Sequence, residues 1–247
     1  MKKINIMTYN IQHGINHLVR LNEKKTIIEL EKVAEIIKKH DIDIVGLNEV
    51  YDAPEENLQK QAAIIAKKLG YNYYYFGKAI NIKDGEYGNA LISKYPIIDA
   101  KTIMIPDPII KDEKAFYETR NLLKCLIKID NEEYNVIVSH FGLANSEKVS
   151  AVKTLVEELE NNKLKNVIFM GDLNMEYDNK NYQELENHLL NIVSDKSFTY
   201  PSHCPEIRID HIFVSEDFTK NNEIIDSLVL DEIFSDHLPI KISFIKK

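Results

Sequence analysis

The 247-residue chain has no tryptophan, only two cysteines, no long apolar run, and fewer cationic than anionic side chains. The missing tryptophan excludes nothing. The cysteines are more informative. Cys125 and Cys204 lie far apart and lack the short spacing of a thiolate metal centre. They are expected as free thiols, with Cys125 buried in the apolar run LLKCLIKI. The opening MKKINIMTYNIQHG has two lysines but turns polar by Thr8, before an apolar stretch of leader length builds up. No segment reaches the length of a membrane span. A cytoplasmic location follows as the expectation. Lys plus Arg number 31 against 39 Asp plus Glu, a formal net charge of −8. Duplex DNA is gripped chiefly by Lys and Arg on its phosphates, so this balance argues against tight nonspecific binding. A metal ion in a site can nevertheless supply the positive charge that a phosphate needs.

What remains is ordinary in proportion, with 44% hydrophobic and 28% charged residues at a length that one α/β domain reaches. Strand-length apolar, β-branched runs recur: INIMTYNI, DIDIVGLNEV, NALISKYPII, LLKCLIKI, YNVIVSHFG, NVIFMGDLN, RIDHIFVS and LPIKISFI. The aromatic run YNYYYF at 71–76 reads as a strand rather than a base-stacking platform. Helix-period segments lie between some of these. Residues 26–39 place Ile27, Leu30, Val33 and Ile37 on one stripe. Residues 57–69 and 146–160 behave alike, the latter with Ser146 as its expected N-cap. The fold class is therefore α/β. No linker divides the chain, so one domain over 1–247 is expected, with 99–119 as a surface excursion and a monomer as the assembly. Helix 26–39 leads into DIVGLNE, and helix 146–160 into NVIFMGDLN. Each of these strands ends on an acid, which hints at two similar halves facing one crevice.

Polar residues close many of these apolar strands. Asn10 and Glu49 close the first two, His140 closes NVIVS, and Asp172 and Asn174 close VIFM. Asp210 sits in RIDHIF, and Asp236–His237 precede LPIKISF. Groups placed by a rigid scaffold are what a site requires. If Glu49, Asp172, Asp210 and Asp236 converge, neighbouring carboxylates ~5 Å apart repel by roughly 3 kcal/mol at an effective dielectric near 20. A cation among them, or a histidine beside Asp236 or Asp210, relieves that conflict. Hard oxygen ligands, a positioned base and a donor aimed at phosphate are the requirements of metal-assisted phosphoester hydrolysis.

TYNIQHG, GLNEV, YGNALISKYP, SHFG, GDLN, RIDHIF and SDHLP follow one another over residues 6–240. In that order they resemble the endonuclease/exonuclease/phosphatase superfamily, which includes DNase I-like nucleases, abasic-site endonucleases, inositol phosphatases and bacterial sphingomyelinases. The resemblance implies a four-layer α/β/β/α sandwich of two packed mixed sheets flanked by helices, and a Mg²⁺ cofactor with Mn²⁺ as substitute. It implies Glu49 as the principal metal ligand, with Asn10 and Asp236 near. Asp172 would activate the attacking water, and Asn174 would hold the water or the phosphate. His237 would contact a nonbridging oxygen or act as base, oriented by Asp236 or Asp210. His140 would touch the phosphate or assist the leaving group, and Asn89 and Arg120 would help bind the scissile phosphate. Two departures stand out. Asn48 replaces a common Gln, and His211 occupies a position often aromatic or Arg, leaving its substrate contact open. His13 is equally balanced between site wall and filler, and His17, His40, His188 and His203 are expected at the surface.

The site set together with the acidic charge balance favours a phosphodiesterase or phosphatase acting on a small or lipid-derived phosphoester. A nuclease reading would need basic and wedge residues in the loops 52–57, 107–118, 176–182 and 195–206, which are mixed or acidic. A catalytically dead binding module is opposed by the presence of every expected catalytic residue.

Overall fold

Period-two alternation in the apolar runs builds two six-stranded sheets in a computed structural model that describes residues 2–53, 60–82, 85–111, 113–193 and 197–247. The first sheet runs β11 (Asn222–Val229), β12 (Ile240–Lys246), β1 (Lys3–Asn10), β2 (Ile44–Asp52), β4 (Gly85–Ser93), β3 (Tyr73–Ile82). The second runs β5 (Ile97–Met104), β6 (Asn121–Ile129), β7 (Glu132–His140), β8 (Val167–Asp172), β10 (Asp210–Val214), β9 (Leu190–Asn191). Each is mixed. β1 and β2 pair in parallel, as do β7 and β8, and the remaining neighbours are antiparallel. A parallel pair needs a crossover, and here it is a helix in both cases. α2 (Leu30–Lys39), preceded by the short α1 (His17–Glu23), leads from β1 into β2, and α4 (Asn145–Asn161) joins β7 to β8. The expected echo between the two halves is thus a repeated strand–helix–strand unit.

The sheets pack face to face through one side chain in two along each strand. Ile4, Ile6, Ile44 and Ile242 meet Val136, Val138, Ile168, Met170 and Ile212 in the central core. The alternate residues of the first sheet, among them Met7, Val45 and Leu47, bury against α2 and α3 (Gln61–Leu69). Those of the second, among them Ile137, Phe169 and Phe213, bury against α4 and α5 (Lys180–Glu186). Each fully buried aliphatic or aromatic side chain stabilises by about 1.5–3 kcal/mol, so the three layers of contact hold the four-layer sandwich together. No described helix is long and apolar enough to cross a membrane.

Three local expectations change. The helix over 26–39 starts at Leu30, because Ile28 bridges Ile15 and Asn16 N–H donates to Ile27 O. Ile27 is consequently 41% exposed and outside the stripe. Ser146 does not cap α4. Its N-cap is Ala144, and the free amides are met by Glu147, which accepts from Ala144, and by Glu113, which accepts from Asn145 and Ser146. Carboxylates suit the positive end of a helix. Residues 99–104 belong to β5 and pair with β6, so the excursion begins only after Met104. Of the helical segment 57–69, residues 57–59 lie outside the described residues.

Candidate active site

The polar residues at the strand ends continue the same alternation that fills the central core. On β8, Ile168 and Met170 face the opposite sheet, and Asp172 is the next residue in that series. The register sets His140 of β7 and Asp210 of β10 directly beside Asp172. Residues opposite each other across a sheet share a face. His140, Asp172 and Asp210 therefore form a row pointing between the sheets. On the facing sheet Asn10 of β1 lies opposite Asn48 of β2. Gly171 permits this arrangement. Its φ is +148°, and a Cβ there would lie 1.8 Å from Ser139 O.

Glu49 breaks the pattern. Strict alternation would turn it toward the helices, but a bulge between Leu47 and Val50 interrupts the β2–β4 ladder and gives Glu49 a φ of 57°. Bulges re-aim side chains in this way. Its Oε1 accepts from Asn10 Nδ2 at 3.0 Å, and the same Nδ2 donates to Asp172 Oδ2 at 3.1 Å. Asp172 Oδ2 also lies 3.4 Å from His140 Nε2 and 3.6 Å from His237 Nε2. His237 Nδ1 sits 2.8 Å from Asp210 Oδ2, which settles the partner of that histidine as Asp210. Asp236 instead accepts from Gln12 Nε2 at 2.6 Å. Tyr200 packs its ring 4.9 Å from that of His237.

Burial sets the electrostatics. It pushes the Asp172 carboxyl up to about 7, Asp210 adding to the rise while His237 and Asn10 oppose it. It pulls His237 down, but Asp210 and Asp172 outweigh it and hold that imidazole up at about 10. Burial, then Arg120, drives His140 well below the ordinary histidine value. His237 is thus a cation at neutral pH beside an acid poised to ionise, and His140 is a neutral ring.

Arg120 reaches the site. Its Nη1 lies 3.2 Å from His140 Nδ1 and 2.6 Å from Glu118 Oε1. Asn174 has a φ of 49°, donates its side-chain amide to Phe141 O, and gives its N–H to Asp172 Oδ1. Asn89 is buried. It accepts from Asn48 at 2.7 Å and donates to Asn121 at 2.9 Å. His211 leaves the site altogether. One residue beyond Asp210, it points to the other face, meets Met175 O at 2.9 Å, and packs edge-on against Tyr182. The expectation of a substrate contact there is withdrawn. His17 is buried, not superficial, with Nε2 2.9 Å from His203 Nδ1. Of the loops flanking the crevice, residues 54–57, 112 and 195–196 lie outside the described residues.

Asn48 and Gln12 also belong to the site, a role that the motifs themselves do not assign to either. Asn48 accepts the Asp172 N–H at 3.0 Å and donates to Ser139 O at 3.0 Å, tying the two sheets beneath the cluster. A polar residue at a core-facing position of a strand was the available signal. Lys148, half-buried in the first turns of α4, is lowered by burial, while Glu113 and Asp172 pull it back up.

The donor set suits a divalent cation. Buried acceptors without partners are costly. Among the described residues, Asp210 Oδ1 and Gln12 Oε1 are buried and make no hydrogen bond. Two places offer ligand atoms. Asp172, Asp210 and His237 present theirs within 4.8 Å of one another, and Glu49 presents a carboxylate to Asn10. In the first, the His237 imidazolium already supplies positive charge. In the second, no cationic side chain is bonded to the carboxylate among the described residues, apart from a 3.8 Å approach by His13.

A four-layer sandwich with acids and histidines gathered between the strand ends defines a class of phosphoester hydrolases. The sequence model of the Endonuclease/Exonuclease/phosphatase family matches residues 7–237, and the chain belongs to that family. Its fold is shared with a family member from Bacteroides thetaiotaomicron, at 18% identity and TM-score 0.76 over 100% of this chain and 98% of that one. A mannosyl-6-phosphatase of Bacteroides thetaiotaomicron VPI-5482 superposes at TM-score 0.76 and 19% identity, over 98% and 99% of the two chains. A D. rerio TDP2 complexed with single-strand DNA product superposes at 0.70 and 15% identity over both full lengths. No curated protein sequence matches the chain.

Proposed function

We propose that the chain is, over 1–247, one catalytic domain that hydrolyses a small or lipid-derived phosphoester with the help of a divalent cation. The observation that carries this reading is the convergence of Glu49 and Asn10 from one sheet on Asp172, His140 and the Asp210–His237 pair from the other. Glu49, with Asn10 and Asp236 near, would hold Mg²⁺ or Mn²⁺. When bound, the ion neutralises charge developing on phosphate oxygens.

The chain's own groups do the rest. Asp172, ionising at about 7, takes a proton from the attacking water. Asn174 fixes the carboxylate through its N–H on Oδ1. His237, kept charged by Asp210, donates to a nonbridging oxygen. His140 and Arg120 stand on the opposite flank of Asp172, where Arg120 meets phosphate charge and His140 meets the leaving group.

The acidic balance of −8 supports a small substrate over DNA. The test is a hydrolysis screen of chromogenic mono- and diesters, sugar phosphates, sphingomyelin, inositol phosphates and duplex DNA with Mg²⁺ or Mn²⁺. Turnover of a small ester is expected, with EDTA abolishing it. Asp172→Asn should lower kcat by about 10²–10⁴-fold, the usual contribution of a positioned base. Silence toward every ester sinks the proposal, and selective incision of DNA replaces it with the nuclease reading.

A further inference from the structure

His13 is held in place by contacts that leave one ring nitrogen unused. Its backbone is left-handed at φ 59°, directly after Gln12 at φ 44°. Two adjacent non-glycine residues in that region persist only when their surroundings impose it. Gln61, 1% exposed, does the imposing. Its Nε2 donates to His13 O at 2.7 Å, and its Oε1 accepts the Tyr51 N–H at 3.0 Å. The imidazole then packs 4.2 Å from the Tyr51 ring and edge-on, 5.2 Å away, against Tyr87. Both the backbone and the plane of the ring are fixed.

The ring's tautomer follows from its neighbour. His13 Nδ1 lies 3.2 Å from Glu49 O. A carbonyl only accepts, so Nδ1 carries the proton and the neutral ring offers a lone pair at Nε2. That atom is 3.8 Å from Glu49 Oε2. The gap is too long for a hydrogen bond. It is within reach of two ligands sharing one ion, each about 2.0–2.2 Å from it. A carbonyl holding the far nitrogen is also how proteins orient an imidazole that binds metal.

We propose that His13 Nε2 joins Glu49 as a ligand of the divalent cation and selects which ion is bound. This rests on the metal-dependent reading above. Imidazole suits Co²⁺, Ni²⁺ and Zn²⁺, whereas Mg²⁺ keeps to oxygen. The site therefore prefers a nitrogen-accepting transition ion to Mg²⁺, and the strained turn at Gln12–His13 exists to deliver that nitrogen.

Calorimetric titration of the metal-free protein with Co²⁺ and with Mg²⁺ tests this in wild type and His13→Asn. Asparagine tolerates a left-handed backbone. Its amide can donate to Glu49 O as Nδ1 does, but it has nothing at the Nε2 position. Co²⁺ affinity should fall at least about tenfold, with a changed Co²⁺ absorption spectrum, while Mg²⁺ affinity stays within about threefold. Imidazole ¹⁵N spectra of wild type give a measurement free of any folding defect, in which Zn²⁺ should move the His13 Nε2 resonance. Unchanged Co²⁺ affinity and spectrum in the variant, or an Nε2 resonance that Zn²⁺ leaves alone, overturn the assignment of His13 only. Wild type that binds neither Co²⁺ nor Mg²⁺ overturns it together with the metal-dependent reading.

Discussion

Asp172 Oδ2 has three polar neighbours, Asn10, His140 and His237, all within 3.6 Å of it. Its proton and that of His237 are linked through Asp210. The sign of each effect on stability can be worked out. The folded state holds the Asp172 proton up to about 7, whereas an unfolded aspartate releases it near 4. Ionising Asp172 therefore costs stability as pH rises across that interval. His237 is raised to about 10. Its contribution is fully present below about 6.5, the unfolded value, and is lost as pH rises through about 10. Thermal melts of metal-free protein should accordingly decline from neutral to alkaline pH. In Asp210→Asn the His237 titration, followed by NMR, should move down toward neutrality and the alkaline part of that decline should shrink. A His237 midpoint unmoved by the substitution would show that Asp210 does not hold the charge.

At the scale of the element, β2 does two jobs in two consecutive residues. Asn48 remains on the core-facing side and reaches across to the other sheet, while the bulge turns Glu49 into the same space. Asn48 is also the first link of a buried chain, Asn48 to Asn89 to Asn121 to Gly77 O. Asn48→Leu removes the acceptor of the Asp172 N–H and leaves that buried amide unpaired, a loss of about 1–3 kcal/mol. We expect a lower urea midpoint together with a fall in kcat that exceeds any change in KM. Asn222→Leu, another buried asparagine bonded to Tyr134 and Phe218 away from the site, should match the loss of stability but leave kcat intact. Equal kinetics in the two variants would reduce Asn48 to a packing role. Such elements also mark where the sequence could be read. Strand identities and the polar residues ending them were visible in period-two runs. The orientation of Glu49 was not, because a bulge is one extra residue and leaves no mark on an apolar pattern. His211 was legible in principle, since Ile212 and Val214 share a face with Asp210 and set His211 on the other. The motif position alone leaves its substrate contact open.

At the scale of the whole molecule, seven ordered motifs gave the family and with it the two-sheet sandwich, while the strand order within each sheet had to come from the structure. The net charge of −8 leaves little to hold a polyanion. Fluorescence anisotropy at about 0.15 M salt should give duplex DNA binding no tighter than the weak end of nonspecific association, roughly 100 µM. Micromolar binding that weakens steeply with added salt would reveal a basic track on the surface and reopen the nuclease reading. One contact a single side-chain layer beneath the site bears on all of this. Gly46 lies between the sheets, and a Cβ there would sit 2.7 Å from Val138 and 2.8 Å from Met170. Asp172, the acid proposed to activate water, hangs from one slab of the sandwich and Glu49, the carboxylate that faces it, from the other. The proposed catalysis thus depends on a spacing of slabs, as a pair of callipers depends on its hinge, and a single methyl at Gly46 must either displace the Val138 and Met170 side chains or prise the jaws apart without touching either tip.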